Sequence, residues 1–455
     1  MRQDLVVGLV ACILGAGCLA NGPDAPPAPV PADCSVGFAP GTLLGDVGPT
    51  GIASEPAMAF GPNGEVAVGS IWIPTAFLPV HVASQLIGTA TQRAADLALE
   101  PGGQNAVWFS ENGADFRALH NVVGRLAQDG HQGNQDADLT FSPTGALHVA
   151  LYGPNGMAVL TTRDQGNSWT ESGLVSPQAV DRQWIEVGPN GELVVAWRGL
   201  EPMAGLDESP PDVGFARSLD DGETWEVAMS LLDQGYARGP LVRDGESLVH
   251  PVNEGDSSGL SLARGTNGGA SWALEETGSE VRGEPGFVVP LALANGSLSL
   301  TWTDDSVPAR VMQIMRNVTG TWSAPTQISP IDQNAAFPWP VQRPDGTVIV
   351  FYYATDGDGP ATTGDREWSL AYSFRCAGGD AWGQGLVQPD PVHHGAMCFD
   401  TSQCRDVNYN REENDRSLGE IFEAGVSSTG EVWVAWTATT NAEVRSNQIW
   451  VTHEA

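Results

Sequence analysis

Two eight-residue stretches constrain the fold of this chain more tightly than anything else in it. They are Thr162-Arg163-Asp164-Gln165-Gly166-Asn167-Ser168-Trp169 and Ser218-Leu219-Asp220-Asp221-Gly222-Glu223-Thr224-Trp225. Both read Ser/Thr-x-Asp-x-Gly-x-x-Trp. The hydroxyl and the carboxylate bond the backbone of their own turn. The glycine takes a positive φ at little steric cost. The tryptophan fixes the returning strand by burying a large aromatic surface. Such a turn, used more than once, points to a β architecture built from copies of one unit.

A second phrase repeats around it: a short apolar strand, a Gly/Pro/Asn/Asp turn, then an alternating strand. It occurs at 57–70, 139–152, 184–197, 338–353 and 424–437, with weaker copies at 241–252 and 288–302, which makes seven. Turn-bounded strands at such spacing mark a repeat fold. Each copy is followed by a third strand and a version of the eight-residue turn. The first version has Glu111, Gly113 and Phe116 at the Asp, Gly and Trp places, and the fourth has Asn267, Gly269 and Trp272. The fifth is shortened around Gly320 and Trp322, and the sixth keeps Gly379 and Trp382. The seventh unit reaches Ala455 without a fourth strand, and Val36–Leu44 resembles the missing one.

The turn pattern resembles the Asp box, or BNR repeat, of sialidase-like β-propellers. The resemblance covers nearly the whole chain as fold and implies an all-β propeller. The copies predict seven blades over residues 34–455, closed by the N-terminal strand, with a six-bladed sialidase-type ring as the alternative. Closure removes exposed strand edges. In that family the boxes are scaffold, so Thr162, Asp164, Gly166, Trp169, Ser218, Asp220, Gly222 and Trp225 are expected on the rim away from the functional mouth.

The N-terminus reads as an export signal: Arg2, then an apolar run from Leu5 to Ala16, too short to span a bilayer. Gly15-Ala16-Gly17 precedes Cys18, which resembles a bacterial lipoprotein signal ending at a lipidated cysteine. Cys12 fits the motif locally but leaves a shorter apolar run. Residues 1–18 are therefore expected to be a signal peptide and 19–33 a Pro/Ala-rich tether. The chain is then an outer-membrane or cell-surface lipoprotein, with simple secretion as the alternative, and meets the membrane only through the lipid. Cys34, Cys376, Cys398 and Cys404 remain, an even count that suggests two disulfides in an exported chain. Cys398 and Cys404 are close enough to clip one loop. Cys34 and Cys376 then fall on one rim of adjacent blades, where a bridge would lock the seam. Without a C-x-x-C spacing, a zinc site built from all four is the weaker reading.

There are 21 basic residues, every one an arginine, against 55 acidic ones, for a net charge of -34. That balance argues against nucleic acid or an anionic membrane surface as a partner. Residues entering the innermost strands should converge on the tunnel mouth: Glu55, Asp136 with Asp138, Asp181 with Arg182, Arg238, Glu284 after Arg282, Asn334 and Glu420. Strand two tends to end in an aromatic, as at Trp72, Trp197 (next to Arg198), Trp302, Tyr352 or Tyr353, and Trp436. Carboxylates and arginines beside aromatics suit sugars, so the expected ligand of this monomer is a glycan or an extracellular protein. Packing between blades is the competing reading for the aromatics.

Sialidases grip a substrate carboxylate with three arginines and use a Tyr/Glu nucleophile with an Asp acid/base, and the first arginine sits in an Arg-Ile-Pro phrase. Here that region reads Gly51-Ile52-Ala53-Ser54-Glu55-Pro56, without arginine. Arg182, Arg198, Arg238, Arg282, Asp136 and Tyr352 are catalytic candidates by position alone. No cofactor is implied, although Asp356-Gly357-Asp358-Gly359 offers hard oxygens of the kind Ca2+ takes. The insertions at 71–104 and 388–418, the latter with His393, His394 and the run 411–416, are expected on the functional face.

Overall fold

The computed structural model describes residues 34–45, 51–74, 104–119, 136–153, 156–176, 180–199, 213–232, 235–254, 259–281, 287–357, 359–398, 417–439 and 447–455. The expected signal peptide, Cys18 and the expected tether lie outside them, as do Arg282, Glu284, Asp358, Cys404, residues 75–103 and the run 411–416.

The strands form seven antiparallel sheets in chain order. After β1 (Thr42–Leu43), blade I holds β2 (Gly51–Phe60), β3 (Val66–Pro74), β4 (Gln104–Ser110) and β5 (Arg117–Ala118). Blade II holds β6 (Ala137–Phe141), β7 (Leu147–Gly153), β8 (Gly156–Thr162) and β9 (Thr170–Ser176). Blade III holds β10 (Val180–Val187), β11 (Leu193–Gly199), β12 (Val213–Ser218) and β13 (Glu226–Leu232). In blade IV the inner strand is split into β14 (Gly235–Ala237) and β15 (Val242–Asp244), both paired to β16 (Ser247–Glu254), followed by β17 (Gly259–Thr266) and β18 (Ser271–Glu280). Blade V holds β19 (Val289–Ala292), β20 (Leu298–Thr303), β21 (Val311–Arg316) and β22 (Thr326–Gln327). Blade VI holds β23 (Gln333–Gln342), β24 (Val348–Asp356), β25 (Glu367–Arg375) and β26 (Gly383–Leu386), with β27 (His393–His394) on the end of β25. Blade VII holds β28 (Glu423–Val426), β29 (Val432–Thr439) and β30 (Asn447–His453), and β1 completes it.

This is a seven-bladed β-propeller, so the six-bladed alternative falls away. All seven repeated phrases form the first two strands of a blade. Those strands are apolar on both faces because a blade is covered on both sides by its neighbours: every residue of β20 and β29 is buried. The outermost strands alternate toward solvent, as in β18 and β26.

The N-terminal segment closes the ring as expected. Thr42 and Leu43 pair with Val451 and Trp450, and Phe38 bridges Glu454. Cys34 is bonded to Cys376, which sits in the turn after β25 of blade VI. Phe38 packs edge-on against Phe351 and Tyr372, each 5.3 Å away, and the Tyr372 hydroxyl donates to Val36 O at 2.7 Å. The segment is thus tied to blade VI by a covalent bond and aromatic packing, and to blade VII by the ladder. Cys398 is also disulfide-bonded.

The two full turns are built as their residue types demand. Thr162 Oγ1 accepts from Gly166 N (2.7 Å), and Asp164 accepts from Ser168 N (2.8 Å) and Ser168 Oγ (2.6 Å). Ser218 Oγ accepts from Gly222 N (2.9 Å), and Asp220 from Thr224 N (2.8 Å) and Thr224 Oγ1 (2.6 Å). In blade I the aspartate's place is taken by Asn112, not Glu111: its Oδ1 accepts from Ala114 N at 2.9 Å. The side chain must reach forward over the turn, and the residue two after the hydroxyl does so.

Each turn also sits on the preceding blade. A Cβ at Gly166 would lie 2.6 Å from Leu119 of blade I, and one at Gly113 would lie 2.7 Å from Trp433 of blade VII. Gly222 lies over the His148 ring and Thr161 of blade II, and Gly269 over Val194 of blade III. The residues just before or within these turns, Gln165, Asp221 and Asn267, are left-handed at φ 58°, 57° and 52°. Each turns its carbonyl back to accept from an arginine of the blade before: Arg117, Arg163 (2.9 Å) and Arg217 (3.2 Å) respectively.

Gly166→Ala combines a left-handed φ with a clash. It should cost about 2 kcal/mol or more in denaturant unfolding, whereas Asn167→Ala at the exposed neighbour should cost well under half of that. Cys34→Ser with Cys376→Ser should destabilise the ring by about 2–5 kcal/mol; an unchanged unfolding midpoint would show that the β1 ladder alone holds the seam.

Candidate functional site

Bulges in three inner strands aim side chains at the propeller axis. Register shifts interrupt β2 between Ser54 and Ala57, β10 between Asp181 and Trp184, and β23 between Ala336 and Trp339. Within them Glu55, Arg182 and Phe337 are left-handed at φ 55°, 53° and 55°. None is Gly or Asn, so backbone strain is accepted three times at one place in the blade. Counted back from the end of the inner strand, Asp136, Phe287 and Ile421 hold the same place in blades II, V and VII. These six positions form a ring around the tunnel.

Arg182 is its centre. Its Nη1 lies 3.0 Å from Glu55 Oε2 and 3.2 Å from Asp136 Oδ2, and its Nη2 pairs with Glu420. Glu55 Oε1 in turn accepts from Glu420 N at 3.0 Å. The guanidinium carbon lies 5.0 Å from the centre of the Phe287 ring, which meets Trp184 edge-on. Side chains of blades I, II, III, V and VII can share one guanidinium only on the axis. The four charged groups keep between 6% and 13% of their side-chain surface exposed, so they present edges to solvent. Beneath them the Gln183 amide donates to Asp136 O and Ala150 O, and its buried Oε1 has no hydrogen-bond partner among the described residues.

A second layer of carboxylates lies deeper. Asp138 accepts from Leu139 N (2.9 Å) and, across the blade boundary, from Ile185 N (2.7 Å). Glu423 accepts from Met58 N of blade I (2.7 Å), and the Trp339 indole donates to Ala424 O of blade VII (2.9 Å). Asp138, Trp339 and Glu423 hold equivalent places, each stitching its inner strand to the next. Burial pushes Asp138 up to about 7, with a smaller push from the Glu186 charge. Burial likewise lifts Glu186 to about 7. Glu423 is raised well above the usual carboxylate range by burial first, then by the Asp138 and Glu186 charges.

Of the residues expected at the mouth, Glu55, Asp136, Arg182 and Glu420 come together. Asp138 belongs to the deeper layer. Arg238 lies in the break of the blade IV inner strand and donates to Asn253 Oδ1 at 2.9 Å. Asp181 and Arg198 are cross-strand partners in blade III. Trp197, Trp302, Tyr352, Tyr353 and Trp436 lie in buried clusters that join adjacent blades, as the packing reading expects. Trp197 is 2% exposed over Gly214, and Trp302 is 3% exposed. Tyr353 is wholly buried, its hydroxyl donating to Thr437 O of blade VII at 3.1 Å. Tyr352 is bonded to Ser373 Oγ at 2.8 Å, and burial pushes its phenol up to about 12, the wrong direction for a nucleophile. Among the described residues, those that end strand two meet the flank of the adjacent blade, whereas those gathered at the axis lie in or just before strand one. Asn334 is a structural clip, donating to the Gly357 and Gly359 carbonyls. Those carbonyls, and Asp356 through Gln333 and Arg366, are thus engaged by side-chain donors where Ca2+ was considered. His393 is buried between Thr439 and Ala396, and His394 points outward. Phe287 and Phe337 were missed; their spacing from the turn glycine, shared with Glu55 and Arg182, is the signal that finds them.

The deeper carboxylates set a pH dependence. Their folded pKa values are raised, so the native state holds extra protons between about pH 4 and pH 7, and stability is lost as pH rises through that window. The buried His148 and His250 are depressed by burial to about 4 and about 3 and act oppositely on the acid side. A difference measurement separates them. Glu423→Gln keeps the acceptor for Met58 N and mimics the protonated acid. It should match the wild-type melting temperature at pH 5 and exceed it by about 2 °C or more at pH 8. Equal melting at both pH values would mean Glu423 is ionised throughout.

No family model matches the sequence, and no curated protein matches it. Several solved structures are similar to it. A fungal alcohol oxidase of the AA5 family in complex with copper is 11% identical over 92% of this chain and 76% of its own, with a TM-score of 0.52. A PL25 ulvan lyase bound to a polysaccharide fragment is 11% identical over 91% of this chain and 94% of its own, at 0.48. The Aleuria aurantia lectin in complex with α-methyl-L-fucoside is 11% identical over 78% of this chain and all of its own, at 0.41. At 11% identity the likeness to the oxidase is one of fold alone.

Proposed function

We propose that the chain is an exported, surface-anchored propeller of the Asp-box type that binds a glycan at the tunnel mouth without cleaving it. The observation that carries this is the Arg182 node. A planar guanidinium lying on Phe287, edged by Glu55, Asp136 and Glu420, is a flat surface with polar rims, which suits a sugar ring and its hydroxyls. Concave sites on rigid strands with few, well-fixed polar groups are the usual form of small-ligand sites. The Arg2, Leu5–Ala16 and Cys18 pattern supports export and lipid anchoring.

The alternative is a sialidase-type hydrolase, which needs free arginines for a substrate carboxylate and an activated Tyr/Glu pair. Arg182 is already held by three carboxylates, Arg238 by Asn253, and the Tyr352 phenol is bonded and poorly acidic. Those commitments favour binding over turnover. An array of immobilised oligosaccharides and a fluorogenic sialoside assay divide the readings. Binding without turnover is expected, weakened by about fivefold, roughly 1 kcal/mol, in Phe287→Ala. Sialoside turnover that Arg182→Ala abolishes would establish the hydrolase instead. A chain that binds no glycan would belong with propellers that serve a protein partner or an assembly.

A further inference from the structure

We infer that the joint between blades III and IV is where this ring opens in acid, with His250 as the group that opens it; the inference stands apart from the glycan reading. The third residue of strand two is Val68, Val149, Val195, Leu300, Val350 or Val434 in six blades, wholly buried against the blade before. Blade IV turns more tightly, Asp244 pairing with Ser247, so its strand two starts one residue early. Leu248 lies opposite Gly265, seven before Trp272, as Leu193 lies opposite Ser218, seven before Trp225. Two places on, where blade III has Val195, blade IV has His250. Its ring meets Phe215 of blade III edge-on at 5.8 Å, in the apolar face that Leu248 and Val252 share with Val213 and Ala263. It is wholly buried, and neither nitrogen has a hydrogen-bond partner among the described residues. The buried rings of His148 and His393, by contrast, are bonded on both nitrogens. A proton on His250 puts a charge and a second N–H into that face, which meets them only by parting and admitting water.

The sheet is interrupted at the same place. β14 pairs with β16 as far as Val252 and β15 as far as Val249, so His250 and Pro251 lie opposite the gap between them. Proline brings no N–H to a ladder, and Arg238 N donates to Pro251 O across the gap at 2.8 Å. The inner strands of the other six blades are single pieces. Burial alone pushes the His250 ring down from the usual 6.5 to about 3. The charged residues on the elements around it add nothing to that shift. They are Glu186 of β10, Arg198 of β11 with Glu192 before it, Arg217 of β12, Arg238 in the gap, Arg243 and Asp244 of β15, Arg264 of β17, and Glu275, Glu276 and Glu280 of β18. An opened joint takes the proton below about pH 6.5 and the closed one not until about pH 3, so closure is weakened as pH falls through that window. The raised carboxylates act in the opposite sense, so a difference between variants isolates His250.

The test compares the full-length protein with His250→Leu, which supplies the residue blade V has there. In denaturant unfolding, the ratio of the wild-type to the variant unfolding constant should grow about 100-fold from about pH 7.5 to about pH 4.5. His250→Val serves if the leucine does not pack. Hydrogen exchange read by mass spectrometry, corrected for the intrinsic rate at each pH, locates the opening. In the wild type, β12 and β16 should gain about tenfold or more in exchange over the same pH step, with no such gain in β20 and β29. The gain should vanish in His250→Leu. A ratio of unfolding constants that stays the same at both pH values would overturn the inference, as would an exchange gain spread evenly over the seven blades. The wild-type exchange map stands as a test even if neither variant folds.

Discussion

The ring depends on one kind of contact, a turn of each blade seated on the flank of the blade before it. Gly113 and Gly166 lie where a Cβ would strike Trp433 and Leu119, and Gly222 and Gly269 where one would press on His148 and Val194. A left-handed residue beside three of them hands its carbonyl to an arginine of that same preceding blade. The conformational freedom that makes the turn is therefore also what lets the blades touch. Interiors tolerate little added volume, so the angle between blades is set by these residues and passed from one blade to the next.

At the other end of the inner strands the same regularity serves electrostatics. One strand position supplies Glu55, Asp136, Arg182, Phe287, Phe337 and Ile421 to the axis, and another supplies Asp138, Trp339 and Glu423 as stitches. The repeat fixes where a side chain points, and each blade is then free to vary what it is. Breaking a buried charge pair commonly costs several kcal/mol because the partner is left uncompensated. Arg182, shared by three carboxylates from three blades, thus ties the centre of the ring as the turns tie its rim.

How much of this was legible depended on range. The two-strand phrases and full turns were readable because a hydroxyl, a carboxylate and a glycine act within eight residues, and the missing seventh outer strand followed from counting. The glutamate at 111 was misread by one place, since Asn112 does the reaching. The aromatics ending strand two read as well for a mouth as for a flank, because sequence alternation does not say which neighbour a face meets. Arg182 was found among the axial residues, but its capture by Glu55 and Glu420 joins chain positions 127 and 238 residues apart. Such a contact exists only once the ring is closed.

Closure has a mechanical side. Residues before Cys34 enter the propeller at the disulfide, ahead of β1 in the chain. Force drawn through them reaches blade VI through a covalent bond, beside strands whose residues are mostly buried, before it reaches the two-residue ladder on blade VII. A short ladder pulled at its end peels one rung at a time. Here the first element to take the load is the one that cannot peel, and β1 is shielded behind it. The clasp therefore puts a covalent tie to blade VI ahead of the ladder that completes blade VII.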